Sequence, residues 1–352
     1  MRTKEVRIGK VKIGGDNPIA VQSMTSTLTH DVKSTVGQIE RLVNAGCEIV
    51  RVAIPTWKDL RAFKEIRKIL PDVPLVADIH FNHKLAIAAI ESGADKIRIN
   101  PGNIGGRERV NEIIKVAKEH NVPIRIGVNS GSLELDLIDK HGGVTAEAMV
   151  ESALKWVKYF EDQDFTDIVI SVKSASVPMT IKAYRELSRK THYPLHLGVT
   201  EAGPQYTGII KSAIGIGTLL ADGIGDTIRV SLTADPVEEV RAAWEILKAL
   251  EIRARGPMLI SCPTCGRTRV NLLKIVGEVE KLLQDVKLPI KVAVMGCEVN
   301  GPGEAKDADI GVAAEPGRGV IFRKGKIIRK VKEEEIPQAL LEEIKKFSED
   351  QS

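Results

Sequence analysis

Through the first 250 residues, short runs of β-branched and aliphatic residues alternate with longer stretches whose apolar positions recur at helical spacing. The runs are Ile19–Met24, Glu48–Ala53, Leu75–Ile79, Lys96–Asn100, Pro123–Asn129, Asp167–Lys173, Pro194–Thr200 and Thr227–Leu232. Each reads as a strand of a parallel sheet, because stretches such as Lys58–Ile69, Arg107–His120, Ala146–Glu161 and Pro236–Leu250 are long enough for crossover helices. Asp235 before Pro236 supplies an N-cap with proline at the first helical position. Eight βα units in this length predict an α/β fold, a (β/α)8 TIM barrel, over an open doubly wound sheet. The first βα turn also lacks the G-x-G-x-x-G of dinucleotide folds. Ahead of the barrel, Val6–Ile8 and Val11–Ile13 flank Gly9-Lys10, which predicts a hairpin over residues 5–14 covering one barrel end.

After Leu250 the rhythm changes. The segment 251–257, with Arg253-Ala254-Arg255-Gly256-Pro257, reads as a linker. A strand (Met258–Ser261), a Cys-bearing turn, a helix (Val270–Leu283), a strand (Ile290–Met295) and a second Cys-bearing loop come next. A hairpin around Lys324-Gly325 and an amphipathic helix (Glu333–Phe347) complete the pattern. The expected organisation is a barrel over 1–250 and a smaller α+β domain over 258–352, large enough for its own core.

Composition narrows the class. Of the 352 residues, 43% are hydrophobic and 28% charged, which excludes a disordered chain, and only 4% are aromatic, so the core must be built from Val, Ile, Leu and Ala. A net charge of +4 is too mild to argue for nucleic acid. The opening residues have no signal-peptide pattern, no window is apolar enough to span a membrane, and four cysteines exclude a disulfide scaffold. A cytoplasmic protein is expected.

In such barrels the chemistry sits at the C-terminal ends of the strands. Those ends carry Arg51, Asp78 and His80, Arg98 and Asn100, Arg125 and Asn129, Lys173, Glu201, and Arg229 and Ser231. Side chains two apart on a strand point the same way, so five cations from five strands are expected to converge on one pocket. The bland reading pairs each arginine with a helix carboxylate outside the barrel. That fits one residue better than it fits five at the same position of a repeat. Converging guanidinium groups repel unless an anion joins them, and their forks match phosphate oxygens. The expected ligand is a small phosphate ester or diphosphate, with Asp78, His80 and Glu201 as the groups able to move protons.

Three cysteines fall in the second domain: Cys262 and Cys265 in a C-x-x-C turn, and Cys297 in a Gly/Pro-rich loop. Zinc, an iron–sulfur cluster, a redox dithiol and inert thiols are the readings. A structural zinc site wants four Cys or His ligands, and no histidine lies beyond His196. Iron–sulfur clusters are held by thiolates, and Glu304, in the same loop as Cys297, is the obvious carboxylate for the remaining iron. Such an iron would be exchangeable, so pocket and cluster together suggest reductive chemistry on a phosphorylated substrate. Cys47, beside Ile49 and Val50, reads as a small core residue.

Over essentially its whole length the sequence resembles the 4-hydroxy-3-methylbut-2-enyl diphosphate synthase family of the methylerythritol phosphate route to isoprenoids, in its compact bacterial two-domain form. The motifs that carry the resemblance are Val21-Gln22-Ser23-Met24-Thr25, Ala77-Asp78-Ile79-His80-Phe81, Arg98-Ile99-Asn100-Pro101-Gly102-Asn103, Gly127-Val128-Asn129-Ser130-Gly131-Ser132-Leu133, Cys262-Pro263-Thr264-Cys265-Gly266-Arg267 and Met295-Gly296-Cys297-Glu298-Val299-Asn300-Gly301-Pro302-Gly303-Glu304. The resemblance implies conversion of 2-C-methyl-D-erythritol 2,4-cyclodiphosphate to 4-hydroxy-3-methylbut-2-enyl diphosphate with two electrons. It implies that Arg51, Arg98, Arg125 and Lys173 hold the diphosphate, with Arg229, Ser231, Asn100 and Asn129 completing the pocket. Asp78, His80 and Glu201 would orient the substrate, Glu201 as proton source, and Cys262, Cys265, Cys297 and Glu304 would hold a [4Fe-4S] cluster. It further implies a barrel related to dihydropteroate synthase, a second domain related to the cluster domain of sulfite and nitrite reductases, and ferredoxin or flavodoxin as electron donor.

Two other classes compete. One is a cofactor-free phosphosugar isomerase or aldolase with a structural metal domain, which exposure to air would leave active. The other is a nucleic-acid-binding protein using Arg323, Lys324, Lys326, Arg329, Lys330 and Lys332; that run lacks interleaved aromatics apart from Phe322 and reads first as a solvated hairpin edge, or as a dock for an acidic electron donor. Chain reach adds an oligomeric expectation. Fifteen helical residues after strand eight carry the chain ~22 Å from the barrel mouth, further than a relaxed linker returns it, so a head-to-tail homodimer with each cluster domain closing on the partner barrel is expected.

Overall fold

The computed structural model describes residues 2–284, 286–297, 305 and 307–350. The hairpin β1 (Val6–Ile8) and β2 (Val11–Ile13) precedes eight parallel strands: β3 (Ala20–Met24), β4 (Ile49–Ala53), β5 (Leu75–Asp78), β6 (Lys96–Ile99), β7 (Ile124–Asn129), β8 (Ile168–Lys173), β9 (His196–Leu197) and β10 (Thr227–Ile228). Their order in the sheet is β8-β7-β6-β5-β4-β3-β10-β9, and a single Ile170–Leu195 bridge spans the remaining gap, so the barrel is nearly closed. The last two strands are shorter than the expected Pro194–Thr200 and Thr227–Leu232. Backbone bonds continue irregularly, from Arg229 N–H to Leu197 O at 3.0 Å and from Thr200 N–H to Ser174 O at 3.3 Å. The regular ladder stops where Gly198 admits the Lys173 side chain: a Cβ at Gly198 would stand 2.5 Å from Lys173 Nζ.

Alternation along the strands builds two environments. Outward residues such as Val50, Val52, Ile97, Ile99, Ile124 and Ile126 are buried against the helices, each worth about 1.5–3 kcal/mol for a fully buried aliphatic side chain. Inward residues at the N-terminal end of the barrel, Ala20, Ile49, Val76 and Val169, pack with Val6, Ile8 and Ile13 of the hairpin, which thereby forms an apolar floor. Above that floor the inward positions turn polar. Asp235 caps the helix Pro236–Ala249 by accepting from Val237 N–H. Glu251, Ile252 and Arg253, read above as the start of a linker, are tied to the barrel instead. Ile252 N–H bonds Leu247 O, and Arg253 bonds Ile19 O and both carboxylate oxygens of Glu48 while lying 4.8 Å over the Trp244 ring. Since Ile19 and Glu48 precede β3 and β4, the chain leaves the barrel at its floor end.

The chain divides into two compact units, Met1–Arg253 and Ala254–Ser352. The second holds five strands in the order β11 (Met258–Ser261), β12 (Lys291–Met295), β13 (Ile310–Glu315), β14 (Arg318–Arg323) and β15 (Lys326–Lys332). β11, β12 and β13 are parallel; β14 and β15 return antiparallel. Helices Leu272–Leu283 and Ile336–Glu349 bury Leu272, Ile275, Val279, Leu340 and Phe347 against the sheet. Asn271 accepts from Lys274 N–H and so starts the first of these helices two residues later than expected, and a 3-10 turn at Glu333–Glu335 delays the second. β13 was absent from the sequence reading. Its Gly311, Ala313 and Ala314 hide the alternation, although Ile310 and Val312 are fully buried. Among the described residues no helix is long and apolar enough to cross a membrane.

Candidate active site

Arg51, Asp78, Arg98, Arg125 and Lys173 all point into the barrel above the floor, and all are buried. Asp78 stands between two of the arginines: its carboxylate lies 3.2 Å from Arg98 Nη1 and 3.7 Å from Arg51 Nε. His80 Nε2 is 3.5 Å from the same carboxylate and 3.0 Å from Arg98 Nη1. Burial pushes the Asp78 carboxyl up, but Arg51, His80 and Arg98 outweigh it and hold the group well below the usual carboxylate range. Asp78 is thereby held as an anion between the guanidinium groups of Arg51 and Arg98. Met24 adds a softer contact, its sulfur accepting from Arg51 Nε at 3.1 Å and Nη2 at 2.9 Å. With its amide oxygen turned toward Arg98, Asn129 accepts from Nη2 at 3.2 Å.

Arg229 is held from outside the barrel wall. Its Nη2 is 3.3 Å from both oxygens of Glu239, on the helix Pro236–Ala249; Glu239 also accepts from Ser23 Oγ at 2.9 Å and from Leu232 N–H at 3.0 Å. This one pair follows the bland expectation of a helix carboxylate for each arginine, and the other cations do not. Among the described residues Arg125 and Lys173 form no ion pair; burial followed by surrounding like charges works against the charge of each, and only the more distant Asp78 favours that of Arg125. The buried Nε and Nη1 of Arg125, the Nε of Arg98 and the Nε of Arg229 have no hydrogen-bond partner among the described residues. A set of buried donors left open this way is what a phosphate-bearing ligand would satisfy.

Sequence reasoning missed the layer beneath. Gln22, Lys96, His196 and Thr227 also face inward and are buried. Lys96 precedes Arg98 by two residues, a period-2 signal that lies below the strand end where such chemistry is expected. Glu239 gave no signal, since it is one carboxylate among many on helices.

Three expected residues stand apart from this contact network. Asn100 caps the short helix Pro101–Ile104 by accepting from Gly102 N–H at 3.2 Å, and it donates to Ser132 Oγ at 2.8 Å. Ser231 is half-buried just past β10. Glu201 is exposed in the loop after β9 with a left-handed backbone (φ 54°), a conformation that costs a residue with a side chain and recurs at functional loops.

In the second unit β11 and β12 are parallel neighbours, so Cys262, just past the end of β11, and Cys297, two residues past the end of β12, emerge at the same sheet end. Cys262 Sγ accepts from Gly296 N–H at 3.2 Å, which ties the two turns together. The exposed Cys265 thiol is shifted down by the Arg267 backbone N–H, against slight burial, with help from the Arg267 side chain and Thr268. Three thiols at one end of two adjacent strands fit a thiolate-ligated cluster. Among the described residues no three Cys, His, Asp or Glu side chains form a ready-made metal cage, and Glu304 lies outside the described residues. Cys47 is a core thiol whose pKa burial pushes up to about 12.

Comparison with known proteins places these observations in context. The family model described as GcpE TIM-barrel domain matches residues 3–244, and that of the GcpE protein C-terminal domain matches 258–346. A protein of Caldanaerobacter subterraneus subsp. tengcongensis named 4-hydroxy-3-methylbut-2-en-1-yl diphosphate synthase (flavodoxin) is 59% identical over 98% of this chain and 97% of its own length. Likewise named proteins of Anoxybacillus flavithermus (55%, covering 99% of this chain and 96% of theirs) and Clostridium tetani (57%, covering 97% and 98%) are similar throughout. Among solved structures, dihydropteroate synthase of Burkholderia cenocepacia superposes with a TM-score of 0.51 at 13% identity, covering 72% of this chain and all of that one, a likeness of fold alone. With both family models and full-length relatives in agreement, the chain belongs to the GcpE family.

Proposed function

We propose that this chain opens the ring of 2-C-methyl-D-erythritol 2,4-cyclodiphosphate and removes an oxygen with two electrons, yielding the diphosphate for which its relatives are named. The observation that carries this reading is the barrel interior, where inward cations keep unsatisfied donors above an apolar floor. Arg51, Arg98, Arg125 and Lys173 grip the diphosphate; Arg229, Ser231, Asn100 and Asn129 close around it. Asp78 fixes the angles of Arg51 and Arg98, His80 borders the substrate, and Glu201 delivers a proton from the mouth loop. Cys262, Cys265 and Cys297, with Glu304, are the ligands for a [4Fe-4S] cluster. When bound, such a cluster supplies electrons to the substrate.

The proposed assembly is a head-to-tail homodimer in which each cysteine-bearing unit closes over the partner's barrel. Two observations support it. Arg253 is pinned at the barrel floor, so only the short free segment Ala254–Pro257, at most ~14 Å extended, precedes the cysteine-bearing unit. The mouth loops carry large exposed apolar side chains, Leu28, Trp57, Phe81, Leu135 and Tyr206, a rim suited to being covered. The electron donor is a flavodoxin, as in the relatives' name, in the cytoplasm. It docks at the cysteine end, beside exposed Arg267 and Arg269. The Lys324-Gly325 hairpin, read above first as a solvated edge and otherwise as a dock, serves poorly: β14 runs antiparallel to β13, so the hairpin tip lies about 20 Å, one strand length, from the cysteine turns. Arg323 and Arg329 of that hairpin are also paired with Asp350 and Glu342.

An anaerobic preparation tests the function. Thiolate-to-iron absorption, iron and sulfide in equal amounts, and turnover of the cyclodiphosphate with reduced flavodoxin are expected. Full activity after aerobic removal of iron would overturn the reading.

A further inference from the structure

Lys96 has no role in the reading above. It opens β6, faces into the barrel and is fully buried. Among the described residues its ammonium reaches one hydrogen-bond partner, Gln22 Oε1 at 3.4 Å. Gln22 lies on β3, and β4 and β5 stand between the two strands, so the contact crosses the barrel interior.

The groups around Lys96 are unbalanced in charge. Arg51 comes from β4, Asp78 from β5, Arg98 from β6 itself, Arg125 from β7, Lys173 from β8 and His196 from β9. Arg229 follows β10, with Glu239 from its helix. The Tyr184 hydroxyl, on the helix Val177–Lys190, is committed to His196 O and Val172 N–H. Six cations thus face two carboxylates. Asp78 serves Arg51 and Arg98, and Glu239 serves Arg229. Among the described residues Lys96, Arg125 and Lys173 have no ion-pair partner. A guanidinium does not release its proton in proteins, whereas a buried lysine does. Relief of the repulsion therefore falls to the lysines, and Lys96 is the deeper one.

We propose that Lys96 is neutral in the free enzyme and takes a proton from solvent when the diphosphate occupies the cations above it. Lys96 is then a positioning residue: its ammonium adds to the field that draws the anion onto Arg125 only once that anion is present. This rests on the diphosphate reading above. The identity of its partner supports it. Gln22 suits both states, since its carbonyl accepts from an ammonium and its NH2, unpartnered here, can donate to the lone pair of an amine. A carboxylate in its place would lock the charge on. Burial, then Arg125 and Arg51, push the Lys96 ammonium well below its ordinary range.

The cyclodiphosphate carries no group that titrates near neutral pH, so proton uptake on binding reports the protein. The experiment is calorimetric titration of the substrate into anaerobic, oxidised holoenzyme, with no donor, in buffers of different ionisation enthalpy. The expected result is net proton uptake in the wild type, most of it lost in Lys96→Met, where the amine is gone, and in Gln22→Glu, where it is already charged. Measurable binding with no buffer dependence in the wild type overturns the proposal and leaves the diphosphate reading intact. Uptake retained in Gln22→Glu and Lys96→Met assigns the proton to Lys173 or His196 and overturns it as well. If Lys96→Met does not fold, the wild type and Gln22→Glu decide. No binding of the substrate, by calorimetry and by equilibrium dialysis, overturns the diphosphate reading, and this inference with it.

Discussion

Asp78 organises the upper pocket because its carboxylate is shared by Arg51, Arg98 and His80. Its effect on stability has a definite sign. The folded carboxyl titrates below the unfolded one, so its stabilisation is complete above the unfolded pKa of about 4 and disappears as pH falls through the folded value. Asp78→Asn should therefore be less stable than wild type at neutral pH, and the gap should close as both are acidified below about pH 4. Denaturant unfolding at stepped pH measures this. A gap that stays constant from neutral pH into the acid range would assign the loss to packing. Asp78 itself was legible in the sequence as a pocket residue, but its state was not. Read alone it is a candidate acid; the two guanidinium groups that keep it ionised arrive from β4 and β6.

At the scale of the element, β7 and β9 use glycine to make room for cations. A Cβ at Gly127 would stand 2.7 Å from Arg98 Nε, whereas one at Gly198 would stand 2.7 Å from the backbone oxygen of Arg229. The first clash displaces a side chain, the second a strand. Gly127→Ala should thus keep a near-native melting temperature while misaiming Arg98. One charge-assisted hydrogen bond is worth ~1.5–3 kcal/mol, so affinity for the cyclodiphosphate should fall roughly ten- to hundredfold. Binding titrations beside thermal melts check this, with Gly198→Ala as the contrast expected to melt lower. Unchanged affinity in Gly127→Ala would remove Arg98 from the binding set. The longer strands β3 to β8 were readable to within a residue or so from β-branched runs. β9 and β10 were found but overextended, because Gly198 admits a neighbour's side chain and ends the regular ladder, and β13 was missed because its small residues Gly311, Ala313 and Ala314 leave no alternation to read.

At the scale of the whole molecule, the proposed dimer makes each active site from two chains. Arg98→Ala damages the barrel and Cys297→Ala the cluster, so each homodimer should be inactive. Mixed dimers pair one intact barrel with one intact cysteine set, and co-expression should recover part of the activity. Mixed dimers shown to have formed yet inactive would mean that each cysteine unit serves its own barrel. The clue to this assembly was partly in the sequence, as helix and linker lengths. The pinning of Arg253 to Glu48 and Ile19, which shortens the free linker, came from the folded barrel.

The sequence by itself determined the barrel, the change of architecture after Leu250, the inward cations at strand ends and the three thiols of the second unit. Each follows from local periodicity or from close spacing along the chain, and the matched family motifs are equally contiguous. Only the tertiary structure decided which of those charges are compensated. Asp78 lies between Arg51 and Arg98, Glu239 reaches Arg229 from a helix, and among the described residues Arg125 and, below it, Lys96 have no ion-pair partner. Charge balance in a barrel interior is a sum over strands far apart in sequence. It depends on which side chains meet across the closed sheet and how deeply water is excluded, quantities that no segment of the chain carries alone.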